Sequence, residues 1–154
     1  MLVLGFLMCF ITNAGAADFT FKRIVDTNTA IPGGSGNFIS FTDSFVSVDQ
    51  GDVAFDAIIG TDDSGGPASG IYTYIGGNLG KVADLDTPLP GGTGNFTNAH
   101  EPCLDDGNVA FAGSGNDQQW GFYTNLGGSL SAVADTNTPV PGGTVSRITW
   151  VSCA

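Results

Sequence analysis

Ala83-Asp84-Leu85-Asp86-Thr87-Pro88-Leu89-Pro90-Gly91-Gly92-Thr93-Gly94-Asn95-Phe96 is written nearly three times in this chain. An earlier copy reads Val25-Asp26-Thr27-Asn28-Thr29-Ala30-Ile31-Pro32-Gly33-Gly34-Ser35-Gly36-Asn37-Phe38. A later one, Ala134-Asp135-Thr136-Asn137-Thr138-Pro139-Val140-Pro141-Gly142-Gly143-Thr144, diverges after its last threonine. The copies stand 58 residues apart from Asp26 to Asp84 and 51 from Asp84 to Asp135. Recurrence at this period marks stacked supersecondary units, none of which can bury its apolar face alone. Each copy reads as a loop, because proline fixes φ and removes a donor while the glycines after it accept positive φ.

Between the loops the chain reads as short strands. Residues 19–25 are rich in aromatic and β-branched side chains and predict a strand. Residues 45–48 and 53–59 follow, joined by the tight-turn signal Asp49-Gln50-Gly51-Asp52. A polar loop over 60–69 leads to a strand at 70–75, and Gly76-Gly77-Asn78 turns the chain into a fourth at 79–83. The order recurs with Cys103-Leu104, 109–113, 120–124 and 130–134, and the length differences between the two halves fall in loops. No convincing helical period occurs after residue 17. The expected fold class is all-β: tandem four-stranded antiparallel units resembling β-propeller blades, about two of them, making an incomplete propeller. Two blades do not close a ring, so a piece of a longer repeat protein is expected, with self-assembly into a ring or an open sandwich as the alternatives. The organisation reads as a signal peptide at 1–17, an N-terminal strand and Pro-Gly-Gly loop at 18–44, and a first unit at 45–84. A linking loop and second unit occupy 85–135, and a third unit begins at 136–154.

The first seventeen residues carry no charge. An apolar run over 2–11 followed by Ala14-Gly15-Ala16 matches a signal-peptide core and its small-residue cleavage site, although no Lys or Arg precedes it. The run is short of the roughly 20 apolar residues that span a bilayer. Export to the cell envelope or beyond is the expected location. Fifteen acidic residues face only Lys22, Arg23, Lys81 and Arg147, a net charge of −11. That field repels nucleic acid and anionic membranes, whose binding needs clustered cations. Cys9 leaves with the signal peptide. Cys103 and Cys153 remain, and free thiols are the expectation, because equivalent positions in neighbouring sheets lie about 10 Å apart and a disulfide wants Cα atoms within about 7 Å.

Gly51-Asp52-Val53-Ala54-Phe55 and Gly107-Asn108-Val109-Ala110-Phe111, together with the Asp-Thr…Pro-Gly-Gly loops, resemble the bacterial choice-of-anchor tandem-repeat proteins with an NxxGxxAF motif. The resemblance covers nearly all of residues 22–150. It implies exported, surface-associated proteins with no firm catalytic activity.

Four constellations bear on chemistry. Asp63-Ser64-Gly65-Gly66-Pro67 copies the nucleophile segment of trypsin-like proteases, but the single histidine, His100, follows it in the wrong order and the chain is too short for two barrels. The Gly-Gly-Ser-Gly and Gly-Gly-Thr-Gly runs lack the helix and lysine of a phosphate cradle and read as turns. His100-Glu101-Pro102-Cys103 holds potential zinc ligands without a partner cluster and reads as a loop. The recurrent acidic pairs Asp26 and Asn28, Asp84 and Asp86, Asp135 and Asn137 are the candidate metal ligands: oxygen pairs in a glycine-rich loop suit calcium. Structural capping by the same side chains competes with that reading. The function expected is a non-catalytic exported scaffold or binding module, whose partner is a glycan, a protein or the cell envelope, with further units or self-association closing the array. Trp120, Tyr72, Tyr74 or Tyr123, where exposed, would stack on sugar rings, although aromatic residues at these spacings more often form the core between blades. The second reading is a secreted propeller-type hydrolase or lyase, or a calcium-binding repeat protein.

Overall fold

A computed structural model describes residues 20–41, 45–116, 119–139 and 142; the signal-peptide reading and most of the expected third unit lie outside them. Among the described residues eight strands make two four-stranded antiparallel sheets. The first sheet takes β1 (Val46–Asp49), β2 (Asp52–Thr61), β3 (Pro67–Ile75) and β4 (Asn78–Ala83) in chain order. The second takes β5 (Phe96–Asp105), β6 (Asn108–Gly115), β7 (Trp120–Thr124) and β8 (Ser131–Asp135) in the same order. No α-helix occurs among the described residues, and none of them forms a helix able to cross a membrane. The all-β expectation holds.

Tight turns explain the meander. Gln50 (φ 48°) and Gly51 (φ 93°) join β1 to β2, and Asp106 (φ 45°) and Gly107 (φ 74°) join β5 to β6. Positive φ at both central residues matches the right-handed twist of the flanking strands. The loop after β2 is held by Asp62, whose Oδ1 accepts from the Ser64 and Gly66 N–H groups and the Ser64 hydroxyl at 2.8–2.9 Å.

Alternation along the strands divides each sheet into two faces. The front of the first sheet carries Val53, Phe55, Ala57 and Tyr72, which pack with Ile31 and Phe38 of the first loop. Its back carries Ala54, Ile71 and Ala83, which pack against Leu89, Phe96, Leu104, Val109, Phe111 and Tyr123. The back of one sheet therefore meets the front of the next, and the small Ala54 and Ala83 let the aromatic side chains approach.

The two fronts are built alike. Phe38 meets Tyr72 edge-on at 4.8 Å and 87°, and Phe96 meets Tyr123 at 4.9 Å and 82°. Phe55 and Tyr72 lie 6.0 Å apart, Phe111 and Tyr123 5.9 Å. Such aromatic pairs add about 0.5–1.5 kcal/mol each beyond the area they bury.

Three expectations are corrected. Residues 20–25 are not paired into a strand; Ile24 and Val25 instead pack on the first front. Residues 100–103 lie on β5, not in a loop, with a bulge between His100 and Cys103 that absorbs Glu101 (φ 57°) and Pro102. Cys103 is disulfide-bonded, and its partner lies outside the described residues. The thiol expectation rested on the spacing between equivalent positions of stacked sheets, which does not limit a partner at a non-equivalent position.

Candidate functional site

The three aspartate loops share one hydrogen-bond pattern. In each, Oδ1 of the aspartate accepts from the N–H two residues on and from the threonine hydroxyl three residues on. These distances are 3.0 and 3.0 Å at Asp26, 3.1 and 2.9 Å at Asp84, and 2.9 and 2.8 Å at Asp135. The aspartate N–H returns a bond to the same threonine oxygen at 2.9–3.0 Å. The threonine N–H closes a turn on the aspartate carbonyl at 2.9–3.0 Å. This reciprocal clasp uses the preference of Asp for bonding its own backbone.

The second carboxylate oxygen is engaged differently in each loop. At Asp26 it meets Arg23 at 2.9 Å near the surface, at Asp84 it meets Lys81 at 2.9 Å with the carboxylate buried, and at Asp135 the buried Gln119 amide donates at 2.8 Å. The Thr29 hydroxyl and the Asn28 N–H hold the Asp26 carboxyl below the usual carboxylate range.

Beyond the first two clasps the Pro-Gly-Gly turn folds back. Leu89 N–H reaches the Gly94 carbonyl at 3.0 Å and Phe96 N–H the Thr87 carbonyl at 3.0 Å; Ile31 and Phe38 make the matching bonds at 3.0 and 3.1 Å. The turn of one loop lies over the clasp of the next. A Cβ on Gly33 would come within 3.9 Å of the Lys81 ammonium, and one on Gly91 within 3.8 Å of Asp135 Oδ2. The loops thus form a stack along one rim of the two sheets.

Of the candidate metal ligands, Asp26, Asp84 and Asp135 turn their oxygens into these clasps. Asn28, Asp86 and Asn137 contribute their N–H groups, and all three are exposed. Among the described residues no three His, Cys, Asp or Glu side chains gather into a metal-holding group. Sequence reasoning passed over Thr29, Thr87 and Thr138, though the shared Asp-x-x-Thr spacing is visible, and over Lys81 and Gln119, whose role depends on the neighbouring strand.

Tyr72 and Tyr123 are interior, which is the core reading of these aromatics and not the sugar-stacking one. Burial first and the Asp84 charge next push the Tyr72 phenol up; burial and Asp135 push Tyr123 up to about 12, with Gln119 opposing. Tyr74 is half-buried beneath Lys22, whose ammonium reaches its hydroxyl at 2.6 Å. Trp120 lies with Phe122 and His100 on the far face of the second sheet, and burial lowers the His100 pKa. Ser64 of the protease-like segment donates its hydroxyl to Asp62.

Polar bonds also cross between the sheets. Asp56, buried, accepts from Phe45 N–H at 2.7 Å and from Glu101 N–H at 3.3 Å. Ser47 Oγ accepts from Leu104 N–H at 3.0 Å, and Asp49 from Asp106 N–H at 2.9 Å. Ser69 donates to Asn98 Oδ1 and to the Ala99 carbonyl. The outer edge of β5 is thereby satisfied by side chains of the first sheet, as a buried strand edge requires.

A model of a family of unknown function, DUF7453, matches residues 12–153, and the chain belongs to that family. No curated protein and no solved structure matches it.

Proposed function

We propose that this member of the DUF7453 family is a non-catalytic scaffold, a stack of propeller-like sheets exported to the cell surface or beyond, with the aspartate loops as the fasteners of its rim. The observation that carries this reading is the repeated clasp. The acidic side chains that recur in the sequence spend both carboxylate oxygens on holding their loops and the strands beside them. A carboxylate acting as general acid or base must exchange protons with a substrate, and one tied to two donors of its own loop is poorly placed to do so. The front-to-back contact of two sheets built alike supports the blade reading, since each sheet is completed by its neighbour. The apolar run over residues 2–11, the acidic surface and the resemblance to surface-associated repeat proteins support export.

Two measurements test the reading. N-terminal sequencing of the protein recovered outside the cytosol should begin at Ala17 or Asp18; retention of the intact chain in the cytosol overturns export. Thermal melting with calcium and with a chelator should give one midpoint, whereas a midpoint that rises with calcium replaces the fastener role with a metal site.

A further inference from the structure

Cys103 is bonded to another cysteine, and the chain holds two more, Cys9 and Cys153. Cys9 lies in the stretch read as a signal peptide, whose removal leaves Cys153 as the partner within the exported chain. The junction between the sheets points to the same residue independently. There β5 crosses the back of the first sheet. Ser69 donates its hydroxyl to the Ala99 carbonyl at 2.6 Å, Asp56 accepts from Glu101 N–H at 3.3 Å, and Ser47 Oγ accepts from Leu104 N–H at 3.0 Å. Counting from Tyr72 and Tyr123, and from Gly51 and Gly107, the counterparts of Ser69, Asp56 and Ser47 on the second sheet are Trp120, Ala112 and Cys103. Cys103 therefore stands where a strand crossing the second sheet would bring its own counterpart of Leu104.

The register identifies that counterpart. Leu104 follows Asp84 by twenty residues. Two of them are taken up by bulges: between Phe96 and Asn98, and again between His100 and Cys103, β5 advances one residue more than β6. A strand without bulges covers the same path in eighteen, and the eighteenth residue after Asp135 is Cys153. Residues 145–153 suit a regular strand, since five of the nine are β-branched or aromatic and none is Gly or Pro, whereas the second bulge of β5 holds Glu101-Pro102. The chain also leaves its third clasp as it leaves the others, with Thr138 N–H closed on the Asp135 carbonyl and Gly142 (φ 78°) repeating Gly33 (φ 69°) and Gly91 (φ 75°). The reach fits as well. Ser47 Oγ is two bonds from its Cα and Leu104 N one bond from its own, so a 3.0 Å contact between them keeps the two Cα atoms within about 7 Å, the range of a disulfide.

Resting on the stacked-sheet reading above, we propose that residues 145–153 lie as a strap across the back of the second sheet, in the place β5 takes on the first, and that a Cys103–Cys153 disulfide locks the end of the strap. Closing the bond joins the two sulfurs and gives up two protons and two electrons to a disulfide oxidant outside the cytosol, which leaves as its dithiol. The closed loop runs from β5 through β8, so the covalent link holds the whole second sheet together.

Trypsin cuts after Lys81 and after Arg147, on either side of Cys103 and short of Cys153. When the exported protein is alkylated, denatured without reductant and digested, mass spectrometry should find the peptide that begins at Ile148 joined to residues 82–147, and dithiothreitol should release it. That peptide free without reductant, or Cys103 joined to Cys9 or to a second copy, overturns the strap. Cys103→Ser together with Cys153→Ser should lower the melting midpoint by about 4–16 °C. Reductant should lower the wild type equally and the double variant no further; a midpoint that neither change moves counts against the lock. Hydrogen exchange separates the strap from the reading beneath it. Amides of residues 148–152 should exchange at least about tenfold more slowly in the oxidised wild type than in the double variant. Equal rates there beside a protected Leu104 N–H sink the strap alone, while a rapidly exchanging Leu104 N–H sinks the stacked-sheet reading itself.

Discussion

Replacing Asp84 by alanine removes the acceptor of three partners at once: the Asp86 N–H at 3.1 Å, the Thr87 hydroxyl at 2.9 Å and the Lys81 ammonium at 2.9 Å. The carboxylate is 3% exposed, so water does not replace it. A hydrogen bond to a charged group contributes about 1.5–3 kcal/mol. The three are not additive, because the loop relaxes and Lys81, 24% exposed, can turn its ammonium to solvent. A net loss of about 2–4 kcal/mol is expected, less than the fullest cost of breaking a buried pair. For a domain of this size each kcal/mol moves the midpoint by about 2–4 °C, so Asp84→Ala should melt roughly 4–16 °C below wild type. The same change at Asp135, also buried, should be comparable, and at the surface-facing Asp26 clearly smaller. Asparagine separates geometry from charge, since its Oδ1 keeps both clasp bonds. Asp84→Asn should still lose stability because Lys81 loses its counter-charge, whereas Asp135→Asn should come close to wild type because Gln119 can turn its amide to match. Differential scanning calorimetry of the series decides the matter. An Asp84→Ala midpoint equal to wild type, or Asp26→Ala as damaging as Asp84→Ala, refutes the fastener role; a catalytic carboxylate would show the reverse, stability kept or gained on substitution.

Three further outcomes follow from the packing. Gly121→Ala places a Cβ 2.5 Å from the Ala134 carbonyl oxygen and 2.8 Å from the Asp135 Cα, backbone that cannot swing away; a loss of about 1–3 kcal/mol or more is expected in chemical denaturation. Asp56→Ala strands the Phe45 and Glu101 N–H groups at the junction, which should cost about 1–3 kcal/mol and loosen β5 in hydrogen exchange before the rest of its sheet. The folded chain binds the Tyr123 proton more tightly than the unfolded chain, with the phenol pushed up to about 12 in the fold. Its contribution is fully present below the unfolded value of about 10 and is lost as pH rises through about 12; phenolate absorbance and circular dichroism recorded together should show Tyr123 ionising only as the fold is lost, and ionisation of a folded Tyr123 near 10 would refute its burial.

The meander was legible because its punctuation is local. Gln50-Gly51, Asp106-Gly107, Gly76-Gly77 and Gly127-Gly128 sit where both central residues of a turn need positive φ, and alternating apolar residues fill the runs between them. The extent of β5 was not legible. Asn98, His100, Glu101 and Pro102 show no alternation, because this strand is held partly by polar groups of the other sheet and is broken by a bulge. Tyr72 and Tyr123 stood between two readings, interior and sugar-stacking surface, since nothing within one unit reveals that Phe38 and Phe96 meet the two rings edge-on. In the loops the oxygen-rich pattern and the Asp-x-x-Thr spacing were both visible, whereas the approach of the Gln119 amide to Asp135 is a property of the fold. The residues 20–25 are the opposite case: strand-like side chains without a described strand to pair with.

Each front aromatic nest is roofed by chain that precedes the strands carrying its other aromatics, Ile31 and Phe38 for the first sheet, Leu89 and Phe96 for the second. A nascent chain therefore never has to wait for later residues to close the nest it has just made. Once β4 has left the ribosome the first nest has all its parts, and its back becomes the template on which the second assembles. Assembly in the direction of synthesis, one sheet at a time, therefore adds the second sheet as a step in series without raising the sequence separation within the first.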